Sequence, residues 1–368
     1  MQNNENFWCV IPAGGVGSRL WPLSRADAPK FLLDLTDSGK SLLATTWDRL
    51  TPLTDPKRIM VVTGNAHQRS VREQLPDLAE ANLVTESEPK DSSAAIGLAA
   101  ALILRRDPQA IIGSFAADHV IGDEFLFQRA VHTAVNAAAT GAIVTIGIRP
   151  THAATGFGYI KTADPRPDIA PMDVFRVAKF VEKPDKKTAE RYIRNGKLWN
   201  AGIFISRADV LLEQMAESEP ELVAALHEIA DAWNTPHAAA ARERLWHTLP
   251  KIAIDYSVAE PAAAAGKMLC VSGHFSWDDV GDFASIANLL TRGRANDLAV
   301  LGKRSSVLAE KSNGIVISGS KRLVTVVGMD DVVVVDTPDV LLVTNKAHAQ
   351  DVKKLVSHMR DSGNAQLL

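Results

Sequence analysis

Short apolar runs alternate with helical stretches through the first 150 positions, and that alternation leaves few folds open. Phe7–Pro12, Arg58–Thr63, Leu83–Glu86, Ala110–Phe115 and Ala142–Gly147 read as strands. Between them Ser41–Leu50, His67–Gln74, Ser93–Arg106 and Glu124–Thr140 read as helices, the last closed by Gly141, a residue suited to a helix C-terminus. Consecutive parallel strands need a crossover of a dozen or more residues, usually a helix, and such sheets are covered on both faces. The expected class is therefore α/β: a Rossmann-like mixed, mostly parallel sheet with helices on both faces.

Beyond residue 150 the pattern loosens. Val174–Glu182 alternates like a strand, Thr188–Asn195 reads as a helix before Gly196, Gly202–Ser206 as a strand and Ala208–Ala216 as a helix, and residues 221–247 are alanine-rich and helical. From Leu298 to Thr344 the composition is β: Val, Ile and Leu in short runs cut by Asn313-Gly314, Ser318-Gly319 and Thr337-Pro338-Asp339. A closing helix is expected over Asp351–Met359. The boundary is placed in the polar stretch after Leu290, giving a first domain over 1–290 and a β-rich second domain over 297–368.

The remaining bulk properties mostly exclude. A net charge of −3 over 368 residues gives no basic footprint for nucleic acid. Two cysteines, Cys9 and Cys270, are too few for a disulfide framework or a zinc site and suit a reducing compartment. The opening MQNNENFW lacks the basic and apolar regions of a signal peptide, and no run reaches the roughly 20 apolar residues of a membrane helix. The expectation is a cytoplasmic protein with no membrane partner.

The first strand runs into Ala13-Gly14-Gly15-Val16-Gly17-Ser18-Arg19. A glycine turn after a strand can present backbone N–H groups to a phosphate. It is not a P-loop: Gly39-Lys40-Ser41 has Asp34 where the first glycine belongs. Nor is it a dinucleotide fingerprint, because Leu20 stands in place of the third glycine. What remains is a glycine turn with two cations, Arg19 and Lys30, in a stretch stiffened by Pro22 and Pro29. Arg19 can fork onto phosphate oxygens and Lys30 can add a point charge. Solvated cations beside a turn are the plain alternative.

The stretch AGGVGSRLWPLSRADAPKFL resembles the signature of the sugar-phosphate nucleotidyltransferases, in the form found in mannose-1-phosphate guanylyltransferases. FAADHVI (115–121), GIRPTHAATGFGYI (147–160), FVEKPD (180–185), LWNAGIFISRADVL (198–211), AIDYSVAE (253–260), WDDVGDF (277–283) and GMDDVVVVDTPDVLLV (328–343) follow in that family's order. The resemblance implies attack of a sugar-1-phosphate oxygen on the α-phosphorus of GTP, yielding GDP-mannose and pyrophosphate. It implies Arg19, Lys30 and Lys183 as catalytic cations, and Asp118 and Asp279 as Mg²⁺ ligands. Ala13, Gly14, Gly15, Gly17, Ser18 and Ser92 would meet the nucleotide. Gly156, Tyr159, Glu182 and Asn200 would meet the sugar, with Asp255 a supporting group and Glu260 structural. For the tail it implies a small β-helix-like domain, whose apolar strands suit a homodimer interface or the tail's own core equally.

The chain departs from the family where Arg-Asn-Thr-Ala-Pro becomes Lys90-Asp91-Ser92-Ser93-Ala94, a segment that in the family lies near the base. Glu86 and Glu88 are the acceptors available there for guanine. This departure keeps open another nucleotide or hexose-1-phosphate. A sugar-nucleotide-sensing protein on the same fold is the non-enzymatic alternative.

Overall fold

The computed structural model describes residues 5–170, 172–294 and 296–368. Residues 1–4 of the opening stretch and Ala295 of the expected linker lie outside these. The chain divides into two compact units: one of residues up to Gly14, Thr46–Ala117 and Ile121–Trp277, the other of Gly15–Thr45, Asp118–Val120 and Asp278–Leu368. The glycine turn from Gly15 onward, with Arg19 and Lys30, therefore groups with the β-rich tail.

The first unit is built on β1 (Phe7–Ala13), β2 (Ile59–Gly64), β3 (Leu83–Glu86), β4 (Ile111–Ser114), β6 (Ile143–Ile148), β7 (Tyr159–Pro165), β8 (Val174–Val181), β9 (Leu198–Arg207) and β10 (Met268–Gly273), with β5 (Val120–Ile121) a two-residue strand outside this sheet. The order is β3-β2-β1-β4-β9-β6-β10-β8-β7, with β7 also bonded to β9. β3, β2, β1 and β4 are parallel neighbours; β9 enters antiparallel between β4 and β6; β10 lies parallel to β6. Only β8 and β9 run against the others, so the sheet is mixed and mostly parallel, as expected. The expected strand at Gly202–Ser206 is the end of a ten-residue strand that begins at Leu198.

The helices are α1 (Leu42–Leu50), α2 (Gln68–Gln74), α3 (Asp91–Arg106), α4 (Glu124–Ala138), α5 (Lys186–Arg194), α6 (Ala208–Ser218), α7 (Pro220–Ala232), α8 (Ala238–Trp246) and α9 (Glu260–Ala264). α3 is buried from Ser93 to Ile103 because its alanines let α6 and α7 close over it while it lies on β1 and β2. A helix apolar all round belongs in such a position. α4 packs on β6, β9 and β10, where Phe127 meets Phe115 and Phe275 edge-on. The alanine-rich 221–247 stretch is two helices, with Thr235-Pro236 between them.

In the second unit β12 (Leu298–Gly302), β14 (Gly314–Ser318) and β16 (Val332–Asp336) are parallel neighbours, and β17 (Leu341–Asn345) returns antiparallel. β13 (Val307–Glu310) and β15 (Val324–Val327) pair in a second small sheet. Leu298 faces Gly314 and Gly314 faces Val332, so the chain coils once every 16 to 18 residues. A coil of that length, with unequal turns, leaves no hexapeptide repeat in the sequence. β11 (Trp277–Asp278) precedes α10 (Phe283–Leu290), and α11 (Val352–Asp361) closes the chain. Leu20 and Trp21 share a core with α10, α11 and the inner faces of β12, β14 and β16. The Trp21 indole N–H donates to the Leu367 carbonyl at 2.7 Å, and Arg25 forks onto Asp339 at 2.7 and 2.6 Å. The cation-bearing loop is thus moored to the tail.

The coils stack tightly at Gly314. Its φ is +124°, and a Cβ there would stand 2.0 Å from the Val332 carbonyl oxygen. Gly314→Ala is expected to lower stability by about 3–5 kcal/mol, the range of severe backbone and packing defects. The urea midpoint reads this directly, and an unchanged midpoint would contradict the stacking.

Candidate active site

In the second unit the site is organised around one buried ammonium. Lys30 is 6% exposed. Its Nζ donates to Asp118 Oδ2 at 2.8 Å and to the Asp279 carbonyl oxygen. Gly17 makes room for it: a Cβ on Gly17, whose φ is +78°, would lie 2.7 Å from the Lys30 Cβ. The Lys30 N–H donates to Val16 O at 3.2 Å, and the Ser24 hydroxyl to Gly17 O at 2.6 Å. The glycine turn therefore holds the lysine as well as leaving open space at Gly15, where a Cβ would meet nothing within 4 Å. Arg19 is exposed.

The two carboxylates differ. Desolvation raises the Asp118 pKa, but Lys30, His119 and hydrogen bonding outweigh it and hold the group below its ordinary value. Asp279 is pushed up to about 6, by burial first, then by Asp278, Asp118 and Asp282, with Lys30 opposing. Val280, next in the chain, is fully buried with φ of +48°, a strained conformation for a β-branched residue. The Val280 N–H donates to Asp278 Oδ1 at 2.6 Å, and Asp282 caps α10 through the Ser285 N–H at 2.9 Å. Asp278 and Asp282 thus hold backbone, which fits Asp279 as the ligand of the three.

The sugar-side candidates lie in the first unit. Glu182 carries Lys183 on Oε1 at 2.8 Å, while its Oε2 is buried without a hydrogen-bond partner among the described residues. Gly158 permits this placement, since a Cβ there would lie 2.6 Å from Glu182 Oε2. Lys183 has φ of +44°. Burial lowers its pKa, but Glu182 and Asp255 more than compensate and the net shift is upward. Asn200 is largely committed: its Oδ1 accepts from Thr145 Oγ1 at 2.7 Å and Gly202 N at 3.2 Å, and its Nδ2 donates to Asp255 Oδ1 at 3.0 Å. Asp255 opens a π-helical turn, and burial with the Glu182 charge pushes its pKa upward. Tyr159 is fully buried and gives its hydroxyl to Ala154 O at 2.9 Å, so it forms wall rather than contact. Gly156 is exposed, and beyond it Phe157 packs edge-on against Trp199 and Trp277.

The altered base segment starts α3. Asp91 has φ of +68°, and Ser92 Oγ accepts from Ile254 N at 2.9 Å, tying the helix start to the chain before the π-turn. Lys90 pairs with Glu88 at 2.9 Å and donates to His247 O at 2.7 Å. Glu86 ends β3 with Oε1 buried and without a partner among the described residues. Burial, then Asp91, pushes its pKa from 4.5 to about 7. Between those values the folded state keeps a proton that the unfolded chain has lost, so stability falls as pH rises through that window. Glu86→Gln is expected to remove that part of the slope and to raise stability at pH 8 by on the order of 2 kcal/mol. Urea midpoints at pH 5 and 8 test this; an identical slope in both proteins would contradict it.

Residues 9–293 match the nucleotidyl transferase family model, and residues 306–359 match the MannoseP isomerase/GMP-like beta-helix domain. The chain belongs to the nucleotidyl transferase family. It is 36% identical over 365 residues to mannose-1-phosphate guanylyltransferase RfbM of Salmonella typhimurium, covering 96% of this chain and 73% of the relative. It is 34% identical to a mannose-1-phosphate guanylyltransferase of Escherichia coli, covering 98% and 74%. A Thermus thermophilus structure named as a mannose-1-phosphate geranyltransferase superposes with a TM-score of 0.84 at 30% identity, over 96% of this chain and 99% of that one.

Nucleotidyltransferases of this family generally use a divalent metal. The residues present fit a hard cation. Three neighbouring carboxylates, Asp278, Asp118 and Asp282, crowd Asp279 with like charge, and Lys30 offsets it only in part, so a cation there would favour its charged form. Among the described residues no cluster of three or more His, Cys, Asp or Glu could hold a metal alone. A Mg²⁺ ion commonly binds one or two carboxylates and completes its shell with phosphate oxygens and water. Sequence reasoning missed Thr145, which aligns Asn200 in this nucleotidyltransferase; Glu260, read as structural, accepts from the Glu182 N–H on its Oε1 at 3.3 Å. Thr145 carries no local sequence signal.

Proposed function

We propose that this nucleotidyltransferase transfers GMP from GTP to mannose-1-phosphate, releasing pyrophosphate by direct attack on the α-phosphorus. The observation that carries the reading is Lys30, a buried ammonium set on Asp118 and the Asp279 carbonyl. Joining two polyanions needs fixed cations more than a nucleophile, because the attacking phosphate oxygen is already charged. Lys30 and Arg19 meet the triphosphate and stabilise charge building on the leaving pyrophosphate. The turn from Ala13 to Ser18 accommodates the phosphates, with Ser92 and Glu86 on the base side. Asp118 and Asp279 would hold Mg²⁺, which when bound supplies further charge neutralisation at the phosphates. Lys183 binds the acceptor phosphate. Glu182 Oε2 accepts from sugar hydroxyls, and Asn200 with Asp255 keeps that wall in place. The names of the relatives support mannose-1-phosphate as the acceptor and guanine as the base. No helix of the described residues is long and apolar enough to cross a membrane, and buried Cys9 and Cys270 suit a reducing cytoplasm.

Glu182→Gln tests the sugar side. The KM for mannose-1-phosphate is expected to rise ~10-fold or more, while the KM for GTP stays within about twofold, as removal of one charged hydrogen bond predicts. Equal change in both constants would contradict the role.

A further inference from the structure

Two lysines on neighbouring strands of the first unit, and a third just before a strand beside them, form a row. Lys179 on β8 faces Lys161 on β7 directly. On the other side β7 pairs with β9, Ile160 facing Leu198, and one further step along both chains sets Lys161 beside Lys197. Directly paired residues project to the same face, at strand spacings of about 4.8 Å. Lys161 and Lys179 are exposed, whereas Lys197 is only 9% exposed with its Nζ 3.1 Å from the centre of the Tyr192 ring. Arg191, one residue before Tyr192 on α5, adds a fourth cation. Among the described residues, none of the four makes an ion pair with a carboxylate.

This arrangement works against folding. Like charges directly opposite across strands destabilise a sheet, and a buried ammonium loses hydration that one aromatic face restores only in part. The electrostatics agree: burial, then Lys179, Lys161 and Arg191, lower the Lys197 pKa to about 8. Lysines often guard exposed sheet edges, and β7, bonded to β8 at Lys161, is bonded to β9 only at Tyr159 and Ile160. Edge protection accounts for exposed Lys161 at most, and not for Lys197, whose ammonium is buried against the Tyr192 ring.

We propose that the Lys179–Lys161–Lys197 row, with Arg191, is a binding site for a small polyphosphate-type anion, separate from the residues assigned to the triphosphate and the sugar phosphate. A chain of two or more phosphate groups matches a line of cations better than a single phosphate does, and it would neutralise the repulsion within the row. The shared chemistry is a diphosphate or longer chain, whether inorganic or carried by a nucleotide sugar.

Calorimetric titration of the full chain with inorganic tripolyphosphate in Mg²⁺-free buffer tests this. Two equivalents are expected. One should weaken in Lys30→Ala. The other should weaken at least ~10-fold in the Lys161→Gln/Lys179→Gln double variant, as loss of charge-assisted contacts predicts. Both of those lysines are exposed, so the double variant retains the fold. Turnover of the double variant on the same samples should match the parent, which separates this proposal from the assigned reaction. In the parent, tripolyphosphate should protect Lys197 from an amine-acylating reagent at pH 8, and the double variant should lose that protection. Competition by GDP-mannose for the second equivalent would identify a nucleotide-borne diphosphate as the ligand; absence of competition would identify inorganic polyphosphate. The absence of any equivalent that weakens in the double variant overturns the proposal.

Discussion

Lys30→Ala is expected to lower kcat at least ~100-fold with GTP and mannose-1-phosphate, about the loss seen when one donor to a developing oxyanion is removed. The structure adds a second source of loss. Lys30 is the cation that offsets both Asp118 and Asp279. Without it the Asp279 carboxyl rises further above 6, and the pair binds protons at the pH where carboxylates are needed. The variant should therefore show both a lower plateau and an activity limb displaced to higher pH. Lys30→Arg should not rescue it, because the buried ammonium is enclosed between Asp118 and the Asp279 carbonyl and the planar guanidinium is larger. Turnover within about tenfold of the parent, from protein with an unchanged unfolding midpoint, would remove Lys30 from the role given to it.

Asp118→Asn is expected to cost a further large factor, at least ~100-fold in turnover, by a distinguishable route. An amide keeps the size of the side chain and can still accept from Lys30, so the fold should survive. What it loses is a charged ligand. The Mg²⁺ concentration for half-maximal activity should climb ~10-fold or more, and a chelator should abolish the activity of the parent. Asp278→Asn is the contrast: Asp278 holds the Val280 N–H, and an amide oxygen can accept the same bond. Its Mg²⁺ requirement should stay near the parent's. Equal Mg²⁺ dependence in Asp118→Asn and the parent would contradict the ligand assignment.

The parallel half of the sheet was legible because β1 to β4 are almost wholly buried apolar runs separated by helices. The antiparallel entry of β9 was not. Its pairing with β4 and β6 is a long-range choice, and only Gly202–Ser206 of its ten residues read as strand. The tail was legible as β by composition, yet its coil was hidden by an irregular offset of 16 to 18 residues. In the candidate site, residue types and order pointed to Lys30, Asp118 and Asp279, but not to their meeting. Lys30 and its Asp118 partner are 88 positions apart, and Lys30 and Asp279 249 apart. Gly17 looked like a phosphate glycine; its tight contact is with the Lys30 stem. Tyr159 and Asn200 looked like ligand contacts, whereas most of their polar atoms are used by Ala154, Thr145, Gly202 and Asp255. Such commitments depend on side chains brought together from distant strands, and no local spacing encodes them.

The measurement that most directly tests the account is pyrophosphate release, with Mg²⁺, across a grid of nucleoside triphosphates and hexose-1-phosphates. Release confined to GTP with mannose-1-phosphate is the predicted result. It would show that a base segment reading Lys90-Asp91-Ser92-Ser93-Ala94 still selects guanine. Equal or faster release with another nucleotide or hexose phosphate would contradict the assigned substrate pair, and no release with any pair from folded protein would contradict the assigned reaction.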